Sequence, residues 1–349
     1  MIAVALSCFA VGIFFSLILW RVFIKLDDGD VFKKGELLLH SLGLGPIFTS
    51  LILYYCFLLL PNQPVLIYIA LVFSIYALIF AWCIYPARKN RMCLFTVQPF
   101  KLLRRDHFFY LLVLGVPIGG YLGLFILKIL PQPLFGHDMM QYGFAGKLLF
   151  QERSLSPVWI NNFSENGFLY KILHAPSFAL ILTWEKMVGS VFGFKGDVYY
   201  RSVGAYYGIL ILLIQFYWVT KKSKILAVIT TLVLISALGF YLKFLFPHID
   251  TFRIYFITVS FIYLAYAVEK PTALSLLLFG IFSGFAAFSH RSGLVITAIN
   301  CVIFFFFMNA SFQQKIRNAM VVGFWVLVFG ASHYGLDYFL GQGEWLGVN

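Results

Sequence analysis

Charge is what this sequence has least of. Only 11% of its 349 residues are Asp, Glu, Lys or Arg, against about 25% in a soluble globular domain. That scarcity excludes an ordinary water-facing surface. Acids are the scarcer sign, 14 against 26 Lys and Arg. Cysteine is sparse too: Cys8, Cys56, Cys83, Cys93 and Cys301 are scattered, with no CxxC and no Cys/His cluster. This argues against a disulfide framework and a zinc site. No internal repeat and no low-complexity tract breaks the chain. The first twenty residues lack the basic n-region of a signal peptide and run straight into Arg21 and Lys25, so they read as a first membrane helix.

Apolar residues fill the space: 61% are hydrophobic, 41 are Phe, and mean hydropathy is +0.89. They lie in continuous stretches of roughly 20, the length of helix that crosses a bilayer core. No water reaches that core, so the backbone must bond to itself, as helices or a closed barrel. Runs without alternation select helices. The expected architecture is all-α, a polytopic transmembrane bundle of about ten spans. These fall near 2–24, 38–60, 65–85, 107–130, 203–220, 225–245, 252–269, 271–289, 292–309 and 318–340.

The net charge of +12 reads as topology rather than nucleic-acid binding, because the cations sit in short loops between apolar runs. Arg21, Lys25, Lys33 and Lys34 fill the first loop, and Arg88, Lys89, Arg91, Lys101, Arg104 and Arg105 the third. Lys221, Lys222 and Lys224, then Lys270, then Lys315 and Arg317 follow later spans. One arrangement keeps all of them in the cytoplasm: N-terminus outside, and the apolar stretch 176–194 not crossing. That stretch holds Glu185 and Lys186, each costing about 2–3 kcal/mol in lipid. The region 131–202 then faces outward as one long extracytoplasmic loop with juxtamembrane helices, opened by the polar segment 131–175. The expected location is the inner cell membrane.

Candidate chemistry gathers on that outer face. The loop opens Phe135-Gly136-His137-Asp138-Met139-Met140-Gln141-Tyr142, runs helically through Lys147 and closes Leu173-His174-Ala175-Pro176. A carboxylate at a membrane exit is placed to meet a lipid-anchored substrate; Asp138 would equally serve as a helix cap. Two outer hairpins follow. One is Phe246-Pro247-His248-Ile249-Asp250-Thr251-Phe252-Arg253, the other Ser289-His290-Arg291-Ser292-Gly293. Arg291 breaks the charge rule in a tight turn. It either snorkels to headgroups or pairs with a lipid phosphate, whose oxygens a guanidinium grips in bidentate fashion.

In this order and spacing the chain resembles the GT-C superfamily of membrane glycosyltransferases, which includes protein O-mannosyltransferases and lipid A aminoarabinose transferases. The resemblance covers about 107–340, a seven-span module after three extra N-terminal spans, and divides the chain into 1–106 and 107–349. Asp138 falls at the family's loop-opening acid, His174-Ala175-Pro176 at a His-Pro-Pro position, Asp250 at an acidic turn and Arg291 at a basic turn. The second acid of an opening pair is missing, since Met139 follows Asp138. The family's C-terminal spans and soluble domain are missing too, which reads as a fragment of a longer protein.

The resemblance implies a polyprenyl-phosphate-linked sugar as donor and a lipid, glycan or protein acceptor, with no nucleic-acid partner. It implies Asp138 as base with Asp250 as second acid. Arg291 would hold the donor phosphate, with His290, Lys147 and His174 as secondary contacts. Tyr142 and Trp159 would meet a sugar ring. A divalent cation is left open, since Asp138, Asp250 and His248 offer oxygen and nitrogen ligands. Two other readings compete. A lipid-linked polysaccharide polymerase or ligase would read a diphosphate with outer arginines, of which this face has few: Arg153, Arg253 and Arg291. A transporter or flippase would carry broken helices, and Pro117-Ile118-Gly119-Gly120 is the one candidate break.

Overall fold

A computed structural model of the chain describes residues 2–27, 32, 34–84, 105–129, 137–155, 176–194, 202–237 and 249–339. Among these residues every regular element is helical and no strand occurs. The helices are α1 (Ile2–Leu26), α2 (Lys34–Leu59), α3 (Val65–Ile84), α4 (Arg105–Leu124), α5 (His137–Glu152), α6 (Ser177–Val191), α7 (Ser202–Thr220), α8 (Lys224–Ser236), α9 (Ile249–Glu269), α10 (Ala273–Ser289), α11 (Arg291–Phe307), α12 (Phe312–Val326) and α13 (Ser332–Phe339). π-Helical turns extend α4 over Phe125–Ile129 and join α12 to α13 over Leu327–Ala331.

Among the described residues five helices are long and apolar enough to cross a membrane: 34–59, 65–83, 202–220, 249–269 and the continuous 312–335. Four shorter apolar helices cover 112–128, 224–236, 273–289 and 291–307. The protein is a helical membrane protein. α4 runs unbroken through Pro117. The Pro117-to-Gly120 segment, a candidate break for a transporter, lies inside this helix: flanking apolar turns carry it past the missing N–H. α9 begins at Ile249, so Asp250 and Arg253, read as a hairpin, are the first turns of a helix.

The chain forms two compact units. The first is Met1–Gly45, Ile69–Leu134 and Gly196–Thr251; the second is Pro46–Tyr68, Phe135–Lys195 and Phe252–Asn349.

In the first unit α2 is a hub. Pro46 has no N–H, so the Leu42 carbonyl four residues back lacks its helical donor. The Tyr206 hydroxyl donates to it at 2.6 Å, and the Ser16 hydroxyl, which donates to the Gly12 carbonyl at 2.9 Å, lies 3.3 Å away. Tyr207 and Tyr76 hydroxyls donate to Gly43 and Gly45 carbonyls at 2.9 and 3.3 Å. In lipid such bonds replace those that water would supply. Lys221 pairs with the buried Glu36 at 2.7 Å, which ties the end of α7 to the first turn of α2. Tyr121 and Phe125 pack with Ala205 and Leu212.

In the second unit α10 is the central helix, buried almost along its length. Its backbone meets the π-turn at Gly284 and Gly330, where a methyl on Gly330 would run into the Gly284 carbonyl. Small residues permit such close approach in membrane helices. Thr297 on α11 donates to the Ser283 carbonyl at 2.7 Å, and Asn300 donates to Ser260 on α9 at 3.1 Å. The helices α5 and α6 pack along each other through Gly146, and the Thr183 hydroxyl lies 3.1 Å from its carbonyl.

Candidate functional site

The turn between α10 and α11 is built by His290. Its backbone is extended (φ −169°, ψ 155°), and its ring caps α11 by accepting the Ser292 N–H on Nδ1 at 3.0 Å. A side-chain acceptor at this position satisfies one of the helix's orphan donors. The Ser292 hydroxyl lies 2.8 Å from the same nitrogen. The turn stays tight because position 293 is Gly: a methyl there would run into the Ala286 carbonyl. Arg291 is consequently the first residue of α11. A guanidinium here sits at the positive end of the helix dipole, an arrangement that favours an anion nearby.

Arg253 reaches this turn from α9. Its Nη1 lies 3.5 Å from His290 Nδ1 and 3.4 Å from Nε2. Near-equal distances to both ring nitrogens place the guanidinium against the imidazole rather than along one lone pair. An arginine from α9 therefore reaches the turn whose next residue is Arg291. The charge pattern marked Arg291 and His290 as site residues. It marked Arg253 only as one outer arginine, because its neighbour lies 37 residues along the chain.

Other contacts fix the turn to the rest of the second unit. Ser177, opening α6, donates to the Phe288 carbonyl at 2.7 Å, and Tyr334 donates to Ala287 at 3.0 Å. Phe178, next to Ser177, packs on Phe252 at 5.5 Å and on Tyr142 at 5.4 Å. A continuous path of rings thus runs from α9 through α6 to the opening turns of α5. Asp138 is the second residue of α5, one turn before Tyr142; its side chain lies outside those described.

The remaining candidates divide. Tyr142 is buried, with 1% of its surface exposed. Its ring packs α5 on α6 against Phe178. Lys147 is partly buried on α5, nine residues and so about 13 Å of helix axis beyond Asp138. Asp250 occupies the first turn of α9, where an acid complements the dipole. Trp159, His174 and His248 lie outside the described residues. Among the described residues no group of three His, Cys, Asp or Glu is placed to hold a metal.

Pattern reasoning gave no role to the far end of α5. There the Arg153 carbonyl accepts from the Asn62 N–H at 3.0 Å and lies 3.1 Å from the Tyr68 hydroxyl. This clamps α5 to the turn between α2 and α3. Burial pushes the Glu152 carboxyl above its usual range. It pushes Glu185, enclosed in α6, well above.

No protein-family model, curated protein or solved structure matches the chain.

Proposed function

We propose that the chain is a multi-pass glycosyltransferase of the inner cell membrane, moving a sugar from a polyprenyl-phosphate donor to an acceptor on the extracytoplasmic face. The observation that carries this reading is the cationic turn of Arg253, His290 and Arg291, joined by packed rings to the helix that Asp138 opens. The acceptor hydroxyl oxygen attacks the anomeric carbon while Asp138 takes its proton. The bond from that carbon to the phosphate oxygen breaks, and the lipid phosphate leaves with the electron pair. Its charge grows from −1 toward −2, so fixed cations favour the transition state over the bound donor.

The topology adopted is ten spans with the N-terminus outside. Contacts inside each unit support it. The ion pair of Glu36 with Lys221 sets the start of α2 beside the end of α7, an antiparallel pairing that supports the reading in which α6 does not cross. The clamp on Arg153 puts the end of α5 on the side of the α2–α3 turn.

The test is transfer of labelled sugar from polyprenyl monophosphate, comparing the parent with Asp138→Asn. Loss of about 100-fold or more is expected for a general base; equal transfer removes Asp138 from that role. A second reading, a lipid-linked polymerase or ligase, is favoured by the approach of Arg253 to the turn that Arg291 follows. It predicts that the parent consumes a polyprenyl diphosphate donor and ignores the monophosphate.

A further inference from the structure

Four polar side chains lie inside the second unit, on α9, α10 and α11: Ser260, Ser283, Thr297 and Asn300, none more than 3% exposed. Their hydrogens can be followed one by one. Ser260 donates to the Ile257 carbonyl at 2.8 Å. Its oxygen is left to accept, and it accepts from Asn300 Nδ2 at 3.1 Å. That bond orients the amide, with Nδ2 toward α9 and Oδ1 turned away from Ser260. Thr297 gives its proton to the Ser283 carbonyl at 2.7 Å and keeps a lone pair with which to accept. Among the described residues, two atoms of this group have no hydrogen-bond partner: Asn300 Oδ1 and Ser283 Oγ. A serine within a helix ordinarily donates to a carbonyl three or four residues back, as Ser260 and Ser289 do. Ser283 does not. One orphan is therefore an acceptor and the other a hydroxyl with a proton to give.

The register of the helices brings the two orphans within reach of one small molecule. Thr297 lies against Ser283, and Asn300 is three residues further along α11, about 4.5 Å of helix axis. A tetrahedral water with partners at hydrogen-bond distance spans about the same length. We propose that an ordered water is bound between α10 and α11. It accepts the Ser283 proton, donates to Asn300 Oδ1 and places its second hydrogen on Thr297 Oγ1. Three bonds are the usual complement of a buried water. A metal cation suits the group poorly, because none of the four side chains is a carboxylate and a charge at this depth would go uncompensated. The water links α10 to α11, as Asn300 Nδ2 links α11 to α9, so the three helices share one polar node inside the apolar packing. The node lies about 9 Å of helix axis from the end of α10. It is a property of the helix packing and holds whatever reaction the chain performs.

The experiment uses the full chain in nanodiscs and reads two quantities. The first is the melting temperature. A dry, orphaned hydroxyl destabilises, and its removal in Ser283→Ala would raise the melting temperature. A hydroxyl bonded to water contributes, so Ser283→Ala is expected to lower it by about 2–4 °C. Asn300→Ala is expected to lower it more, since the bond to Ser260 goes too. The double variant is expected to fall short of the summed shifts, because both changes break one bridge. The second quantity is radiolytic hydroxyl labelling, in which a bound water oxidises the side chains beside it. Phe279 and Phe304 are fully buried, with rings 5.4 Å apart, and each lies four residues from Ser283 or Asn300 on its own helix. They are expected to be labelled in the parent and to lose most of that labelling in Ser283→Ala. A raised or unchanged melting temperature in Ser283→Ala overturns the proposal, as do additive shifts, or equal labelling of parent and variant. Should Asn300→Ala fail to fold, Ser283→Ala, which removes a single oxygen, carries the test alone. Replacing sodium by choline is expected to leave the parent unchanged; a fall in its melting temperature that Ser283→Ala abolishes would make the ligand a cation and end the assignment to water.

Discussion

Glu185 is a carboxyl group enclosed by protein, 3% exposed, on a helix buried on nearly every side. Burial holds its pKa well above the ordinary glutamate value, so the folded chain keeps the proton where the unfolded chain has lost it. Below the unfolded pKa, near 4.3, both states are protonated and nothing is lost. As pH rises above it only the unfolded chain ionises, and stability falls until the folded carboxyl ionises as well. Glu185→Gln removes that dependence. Thermal unfolding in detergent should therefore show the variant gaining on the parent from pH 5 to pH 8; a constant difference across that range would reject the assignment. Glu185 was legible as one of the charges that, with Lys186 and the later Lys221–Lys224 cluster, spoke against 176–194 crossing. What surrounds it was not legible, nor was the meeting of Arg253 with His290, since neighbours from distant helices leave no local pattern.

Helices themselves were legible where apolar length decides. The expected spans at 38–60, 65–85 and 203–220 fall on α2, α3 and α7 to within a few residues. Starts were less so: α9 takes in Ile249 to Thr251, which polarity had assigned to a turn. Close helix contacts depend on which glycines face a neighbour, and this gives a test. Gly330→Ala pushes a methyl into the Gly284 backbone, whereas Gly323 has open space around it. The first substitution should cost about 1–3 kcal/mol and the second should be neutral or stabilising, measured as the melting temperature of purified protein. The ion pair between α2 and α7 gives another. Lys221→Met removes the cation beside the carboxylate of Glu36, which is 1% exposed, at a cost of about 1–3 kcal/mol. Adding Glu36→Gln should recover most of it; a double variant no better than the single one would show that the pair does not couple these helices.

At the scale of the whole chain, membrane residence followed from composition alone, because so few charges cannot clothe a water-soluble surface. Sidedness follows from where the cations fall, and it is open to direct measurement. Single cysteines at Met140 and Lys222, in a background without the native thiols, should respond differently to an impermeant reagent added outside intact cells. Position 140 should label and position 222 should not. Labelling of both, or of 222 alone, would overturn the proposed orientation and with it the extracytoplasmic placement of Asp138. Fold class was thus readable from the order of apolar runs. The candidate site was readable only as a set of conspicuous charges, because its assembly depends on contacts that join α6, α9, α10 and α11.

The glycine crossing of α10 with the π-turn bears on how the cationic turn behaves. Where two backbones touch at Gly284 and Gly330, no side chain intervenes that could change rotamer and let one helix slide past the other. α10 is keyed to its neighbour five residues before the turn it ends in. Arg291 is therefore mounted on an anchored post, and any movement around it has to come from elements whose contacts are made by side chains.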